Sequence, residues 1–344
     1  MNFRSFIQAG LAAFAVTATA LVTPASAGAT LDAIRQRGTL KCAVQGPSNP
    51  GFGVPDNQGR WQGFNVDLCR AVAIAIFGNG DKIEIAALTT QTRFPALTSG
   101  EVDLLTNNTT YVQLRETQLR FNFPAITFYD GQGILVPKKL GVTQVRQLDG
   151  ATVCVQPGTT TELNLADYFR KLNISFKPMV IQSRDELTRA YAEGRCDALT
   201  SDATVLAAQR STLANPSEHV ILDERLSKEP LGLTVRRGDD DFRVLVTWVF
   251  NTLVNAEELG ITRANVDQML SSGDPQIRRF LGVEPGLGSA MGVSDKYAYE
   301  IIKALGNYGE LYEKYLGEQT PLGIPRGLNR LWTSGGILYV PPAR

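Results

Sequence analysis

Apolar residues recur along this chain with two periods, one of two residues and one close to the helical 3.6. Leu40, Cys42 and Val44 alternate with Lys41 and Gln45, which predicts a strand over TLKCAVQG, and Lys82 to Leu88 alternates in the same way. Between them, GFNVDLCRAVAIAIFG carries Val66, Cys69, Val72, Ala73 and Ile76 at helical spacing. Asn65 is its expected N-cap, and Asp67 suits the positive helix end. Thr30 is the expected cap of a short helix through Leu31 and Ile34 that stops at Gly38. Pro47 to Arg60, rich in Pro, Gly, Ser and Asn, reads as a loop, and Phe94 to Ser99 as a helix.

The stretch DLLTNNTTYVQLRETQLRF, from Asp103 to Phe121, starts as an apolar strand at Leu104 and Leu105. It then turns polar at Thr106, Asn107, Asn108, Thr109 and Thr110, with Arg115 five residues on. A strand ending in a polar turn is where open α/β sheets bind ligands, and a guanidinium beyond it matches a carboxylate with two parallel hydrogen bonds. Further on, Ala151 to Val155 reads as a strand, followed by QPGTTTE and an amphipathic helix through Leu163, Leu165 and Phe169. Thr159 and Glu162 have capping-box spacing, and the free N–H groups of such a helix start attract anions. Taken alone, an ordinary cap explains the same residues.

These pieces repeat. Gly100 to Asn108 (GEVDLLTNN) returns as Gly194 to Asp202 (GRCDALTSD), and Cys42 to Gly46 (CAVQG) as Cys154 to Gly158 (CVQPG). Two copies of a strand–helix–strand unit, each ending in a polar strand tip, predict two similar lobes facing one another. The chain is expected to cross to the second lobe near Gly131 and to return near Pro230, giving lobe 1 as 28–131 plus 230–344 and lobe 2 as 132–229. Helical patterns follow at Phe242 to Leu259, Arg263 to Ser271, Ile277 to Leu281 and Asp295 to Tyr315. The closing GGILYVPPAR reads as an extended arm.

Composition narrows the function. The 344 residues hold 34 basic and 34 acidic side chains, and this neutrality argues against nucleic acid or an anionic membrane as partner. Arg4 is the only charge before Asp32, an uncharged run follows it, and Ala25-Ser26-Ala27 is a small-residue cleavage site. Residues 1–27 therefore read as a secretory signal, with a soluble, exported protein starting at Gly28. An oxidising compartment favours disulfides among Cys42, Cys69, Cys154 and Cys196, which allow three pairings. With no CxxC and one histidine, His219, no metal or cofactor is implied, and His219 is expected at the surface or in a loop without a role.

GFNVDLCRAVAIAI resembles the signature of the polar amino-acid-binding proteins of ABC importers, except that Asn65 stands where that family has an acid. SGEVDLLTNNTTYVQLR, VCVQPGTTTE and GRCDALTSD are similar to three further family motifs, in order, and cover roughly residues 31–270. NNTT, YDGQGILVPKK, TVCVQPGTTTELNLADYFR and the long C-terminal extension look like the general L-amino-acid-binding branch. The resemblance implies a two-lobed α/β periplasmic-binding-protein fold of type II, with the ligand in the cleft between the lobes. It implies a monomer that captures free L-amino acids and delivers them to permease subunits in the inner membrane. By the same resemblance Arg115 holds the α-carboxylate, helped by N–H groups of Thr110 and of Thr160 or Thr161. Asp202 takes the α-ammonium, helped by the Thr110 hydroxyl and the Asn108 carbonyl. Leaving either ligand charge unpaired would cost about 3–5 kcal/mol, so both partners must come from the protein.

The family's aromatic lid is missing. QGPSNPGFG keeps Phe52 but puts Ser48 or Asn49 at the lid position, so Tyr111 and Trp61 become candidates for the wall of a roomy, weakly selective pocket. Disulfides within lobes, Cys42–Cys69 and Cys154–Cys196, would leave the hinge free. The extension from Phe280 to Arg344 is expected to pack on lobe 1 and to form no site. Against transport stands an enzyme on the same scaffold, of the cyclohexadienyl or arogenate dehydratase kind. It would need a general acid or base, and Glu162, the sole nearby candidate, is explained by capping. A receptor sensor would need a membrane span and a signalling module, and an organic-acid binder would not need Asp202.

Overall fold

The computed structural model describes residues 28–46 and 49–344. The expected signal segment 1–27 and Ser48, one of the two lid positions, lie outside the described residues. In chain order the strands are Leu40–Gln45 (β1), Val54–Pro55 (β2), Trp61–Gln62 (β3), Ile83–Leu88 (β4), Leu104–Thr110 (β5) and Phe121–Asp130 (β6). They continue as Gln132–Pro137 (β7), Ala151–Val155 (β8), Phe176–Val180 (β9), Ala198–Asp202 (β10), His219–Ile221 (β11) and Glu229–Arg236 (β12).

Two five-stranded sheets result, ordered β4-β1-β5-β12-β6 and β11-β7-β10-β8-β9, with β2-β3 as a small hairpin. β4, β1 and β5 run parallel, as do β9, β8 and β10. An antiparallel strand follows in each, β12 beside β5 and β7 beside β10. Thus β8, β9 and β10 stand where β1, β4 and β5 stand, and the repeat read in the sequence is a repeat of structure. One residue accounts for part of it. The Asp103 N–H donates to the Lys41 carbonyl at 2.8 Å while its carboxylate accepts the Lys41 N–H at 2.9 Å. Asp197 does the same to Thr152, at 2.9 and 2.7 Å. Each aspartate pins the start of the neighbouring strand.

Two connections join the sheets, one at Gly131 between β6 and β7, the other between β11 and β12. They pass in contact: a Cβ at Gly131 would come within 2.9 Å of the Ser227 carbonyl oxygen. The disulfides are Cys42–Cys69, tying β1 to the helix Phe64–Phe77, and Cys154–Cys196, tying β8 to the turn just before β10.

Several local expectations are corrected. The polar run Thr106–Thr110 is strand, not turn, because β12 pairs with it and its hydroxyls bond inward, Thr106 to the Ala43 carbonyl at 3.1 Å and Thr109 to Asn107 at 2.8 Å. Asn65 does not cap its helix; its amide donates to Asn108 Oδ1 at 2.5 Å. Thr30 does not cap the helix Ala29–Arg37; the Asp239 carboxylate accepts the Thr30 and Leu31 N–H groups at 2.7 and 2.9 Å. Leu163 is exposed, while Leu165 and Phe169 carry the buried face of the helix Thr160–Leu172. The helix expected over Asp295 to Tyr315 is two, Tyr297–Leu305 and Tyr308–Tyr315, separated at Gly306, whose φ of 89° ends the first, and Asn307, which caps the second. His219 lies on β11, half-buried, with Nδ1 2.7 Å from the Tyr191 hydroxyl.

The C-terminal extension packs on the first sheet's core. Tyr308 meets Phe64 edge-on at 5.7 Å, Tyr312 stacks on Phe128 at 5.8 Å, and the Tyr315 hydroxyl donates to Asp67 at 2.7 Å. The closing arm adds buried Leu338 and Ala343. Beyond the expected packing, the segment Leu322–Asn329 reaches the crossing point, where it walls a cavity of about 560 Å³ shared with Asp130, Gly131 and Thr204.

Candidate ligand-binding site

The C-terminal ends of β1, β5, β8 and β10 converge between the two sheets on a cavity of about 20 Å³. That is little more than the space of one water, about 10–15 Å³. The cavity walls touch across the sheets: the Thr90 hydroxyl donates to the Pro157 carbonyl at 3.0 Å, and the Thr110 and Thr160 hydroxyls lie 3.3 Å apart.

Six of the residues expected to bind ligand meet here: Arg115, Asp202, Thr110, Asn108, Thr160 and Thr161. Arg115 is 4 % exposed; its Nη1 donates to the Thr110 carbonyl at 2.7 Å and its guanidinium rests 5.2 Å from the Phe94 ring. Burial pulls its pKa down to about 10, with Glu229 and Asp202 acting the other way. Asn108 adopts a left-handed φ of 53°, fixed by the bond from Asn65, and its buried amide nitrogen has no partner within the protein. Thr159 caps the helix Thr160–Leu172 by accepting the Glu162 N–H at 3.1 Å, which sets Thr160 and Thr161 in the first turn facing the cavity.

Asp202 ends β10 and is 8 % exposed. Burial drives its carboxyl well above the usual carboxylate range, Asp130 and Glu229 push it the same way, and Arg184 and Arg93 oppose them. Asp130, at the crossing, is raised to about 6 by burial, against hydrogen bonds from Thr204 and Gly131. Its carboxylate accepts the Thr204 hydroxyl at 2.5 Å and the Gly131 N–H at 2.8 Å.

Three expected wall residues lie elsewhere. Phe52 is a core residue, 1 % exposed, edge-on to Phe128 at 6.5 Å. Tyr111 stacks on Phe123 at 4.5 Å and donates to Glu116 at 2.6 Å. Trp61 belongs to the β2-β3 hairpin, its carbonyl accepting from Arg70. Asn49, the other lid position, is buried and bridges to Gly53. None of the four lines the cavity.

Sequence reasoning missed Arg93 and Arg184, which complete the cavity with Gln45, Thr90, Gln156 and Ser201. Arg93 is 3 % exposed, with Nε unpartnered; burial lowers its pKa well below the usual value, and Arg115 adds to the effect. Nε and Nη1 of Arg184 are also buried without a partner, and burial lowers its pKa to about 10. Three arginines face one lining carboxylate, so the cavity is net positive. Just behind it, Glu229 is buried and accepts the Thr160 hydroxyl and the Asn164 amide, each at 2.8 Å.

The arrangement offers one cation and one anion for a zwitterion, with spare guanidinium donors for a second acid. Asp202, already the anion of that pair, is the one carboxylate or imidazole in its lining. Glu162 is committed to the helix start, its carboxylate accepting the Gly158 N–H at 3.0 Å. Among the described residues no group of His, Cys, Asp and Glu could hold a metal ion.

The model of the bacterial extracellular solute-binding proteins, family 3, matches residues 40–264. The chain is 47% identical to the general L-amino acid-binding periplasmic protein AapJ of Rhizobium johnstonii, over 97% of this chain and 98% of that one. It is also 47% identical to the glutamate/glutamine/aspartate/asparagine-binding protein BztA of Rhodobacter capsulatus, over 96% and 97%. Among solved structures, an ABC transporter periplasmic binding protein from Brucella ovis with glutathione bound superposes with a TM-score of 0.90 at 47% identity, covering 92% of this chain and 99% of that one.

Proposed function

The chain belongs to the bacterial extracellular solute-binding proteins, family 3, and from that premise we propose that it captures free L-amino acids for an ABC importer. The observation that carries this reading is the pairing of Arg115 and Asp202 on one cavity, the first beyond β5 of one sheet and the second at the tip of β10 of the other. Arg115 takes the α-carboxylate and Asp202 the α-ammonium, with Thr110, Asn108, Thr160 and Thr161 as further polar partners. Since the two charges sit on different sheets, a zwitterion bridges them and favours the closed arrangement. The present cavity is too narrow for an amino acid, so access requires the sheets to part about the crossing at Gly131 and the return before Glu229.

In this reading residues 28–131 and 230–344 form one lobe, 132–229 the other, and a cleaved segment 1–27 sends a monomer to the periplasm. Inner-membrane permease subunits receive the closed form. Arg93 and Arg184 favour side chains that end in a carboxylate or amide, within a broad specificity. The names of AapJ and BztA support that range, and the glutathione held by the Brucella ovis protein carries the same α-amine and α-carboxylate.

The test is thermal unfolding of the mature protein with each common L-amino acid, with D-enantiomers and simple organic acids as controls. A ligand at a hundred times its Kd stabilises by about 2.7 kcal/mol. Stabilisation by several L-amino acids, with acidic and amidic ones foremost, is expected, and it should vanish in Arg115→Ala and Asp202→Ala. No shift with any amino acid would end this reading.

A further inference from the structure

Beside the zwitterion cavity lies a second chamber of about 180 Å³, nine times its volume, sharing Gln45, Thr90, Gln156 and Arg184 as the common wall. It is built from equivalent parts of the two copies. The loop after β4 supplies Thr89 and Thr90, and the loop after β9 supplies Gln182 and Ser183. Gln45 ends β1, and Gln156 follows β8. Unlike the first cavity, the chamber is partly apolar, with Ala87 and Leu88 in its wall, and its charged lining residues are Arg184 and the neighbouring Asp185. At the junction stands Arg184, with two buried nitrogens that no protein group satisfies. A buried guanidinium left in that condition is costly unless a ligand completes it.

The chemistry of an occupant follows from the first cavity. Once Arg115 and Asp202 hold an α-carboxylate and an α-amine, a ligand can leave that cavity only through its side chain. An α-linked peptide ties up the α-carboxylate and is excluded; a side-chain amide leaves both charges free. We propose that the second chamber is a subsite for the distal part of amino acids extended through their side chains by an amide bond, the γ-glutamyl peptides, with Arg184 receiving their terminal carboxylate. The inference rests on the amino-acid reading of the first cavity.

Calorimetric titration of the mature protein with L-glutamate, γ-glutamylglycine, γ-glutamylethylamide and α-glutamylglycine tests it. γ-Glutamylglycine should bind within about tenfold of L-glutamate, and α-glutamylglycine should not bind. The ethylamide, which lacks the terminal carboxylate, should bind about tenfold or more weaker than γ-glutamylglycine. Ala87 and Gln182 are exposed and line only the second chamber. Ala87→Trp, or Gln182→Trp as an independent block, should weaken γ-glutamylglycine by about tenfold or more while leaving L-glutamate within about twofold. L-Glutamate binding without γ-glutamylglycine binding would overturn the subsite alone, as would equal losses for both ligands in both tryptophan variants. Failure of every free amino acid would take down the underlying reading and the subsite with it.

Discussion

Glu229 Oε2 accepts the Thr160 hydroxyl at 2.8 Å, so the strand that returns to the first sheet holds the helix start of the second. Asn164 binds the same carboxylate one helical turn on, and the charge lies near enough to Arg115 to favour its protonated form. Glu229→Ala removes the acceptor for both side chains and a counter-charge from a site already rich in arginine. Hydrogen bonds to a charged group are worth about 1.5–3 kcal/mol. The amino-acid Kd should rise about ten- to a hundredfold, with Glu229→Gln intermediate. Unchanged affinity by calorimetry would remove the latch from the binding account.

Asp130 supplies a pH dependence whose sign is fixed by its environment. Its carboxyl titrates near 6 in the folded protein against an ordinary 3.8, chiefly because it is buried. Between those values the folded state binds more protons than the unfolded, so this contribution to stability is present at low pH and is lost as pH rises through 6. Asp202 is shifted in the same direction, and His219, lowered by burial, works in the opposite one. Comparison of Asp130→Asn with the parent isolates the first group. Relative to the parent, the variant should gain up to about 3 kcal/mol between pH 4 and 7, because each tenfold change in proton affinity is worth about 1.36 kcal/mol. Denaturant curves at several pH values would show it; parallel stability profiles would rule it out.

The binding reaction should carry the same signature. An ammonium on Asp202 needs the ionised carboxylate, whose proton burial holds well above the usual range. Amino-acid binding should therefore release a proton over the range in which Asp202 is protonated in the free protein, and affinity should weaken as pH is lowered through that range. Titrations in buffers of different ionisation enthalpy measure the release. Zero release at every pH at which the protein stays folded would mean that Asp202 is already ionised before the ligand arrives.

Arg115 and Asp202 are legible in the sequence because each is reached from an apolar strand that becomes polar toward its end. Arg93 and Arg184 are not, since a lone arginine at a polar helix start reads as a solvated side chain. Their signal lies in the repeat: each is the first residue of the helix after the second strand of its copy, Arg93 after β4 and Arg184 after β9. Aligning the two copies beyond the strand tips would have found them. Phe52 and Tyr111 misled for a different reason. Their chemistry suits a pocket wall, but aromatic partners on β6 take them instead, Phe128 far along the chain from Phe52 and Phe123 beyond the intervening helix from Tyr111.

The pinning aspartates differ in setting, and their loss should differ accordingly. Asp103 is buried and also meets the guanidinium groups of Arg37 and Arg236, whereas Asp197 is exposed. Removing one partner of a buried pair costs about 3–5 kcal/mol, while an ordinary hydrogen bond is worth about 1 kcal/mol. Asp103→Asn should approach the larger figure and Asp197→Asn the smaller, read from denaturant unfolding. The reverse order would mean that strand pinning, not charge pairing, dominates at both.

Asn329 brackets Tyr129 on β6: its Oδ1 accepts the Tyr129 N–H at 2.7 Å and its Nδ2 donates to the Tyr129 carbonyl at 3.1 Å. One side chain thereby supplies both bonds that a further strand would give this edge of the sheet, next to the crossing. Asn329→Ala leaves both backbone groups to water or unpaired, at about 1–3 kcal/mol for each one that stays buried. The melting temperature should fall, because the segment Leu322–Asn329 no longer fastens to β6. The order of preference among amino acids should stay the same, since Asn329 touches the far side of the crossing and none of the residues lining the zwitterion cavity belongs to the extension. A changed order of preference would mean that this segment sets the geometry of the cleft through the crossing, and the extension would then be part of the binding device.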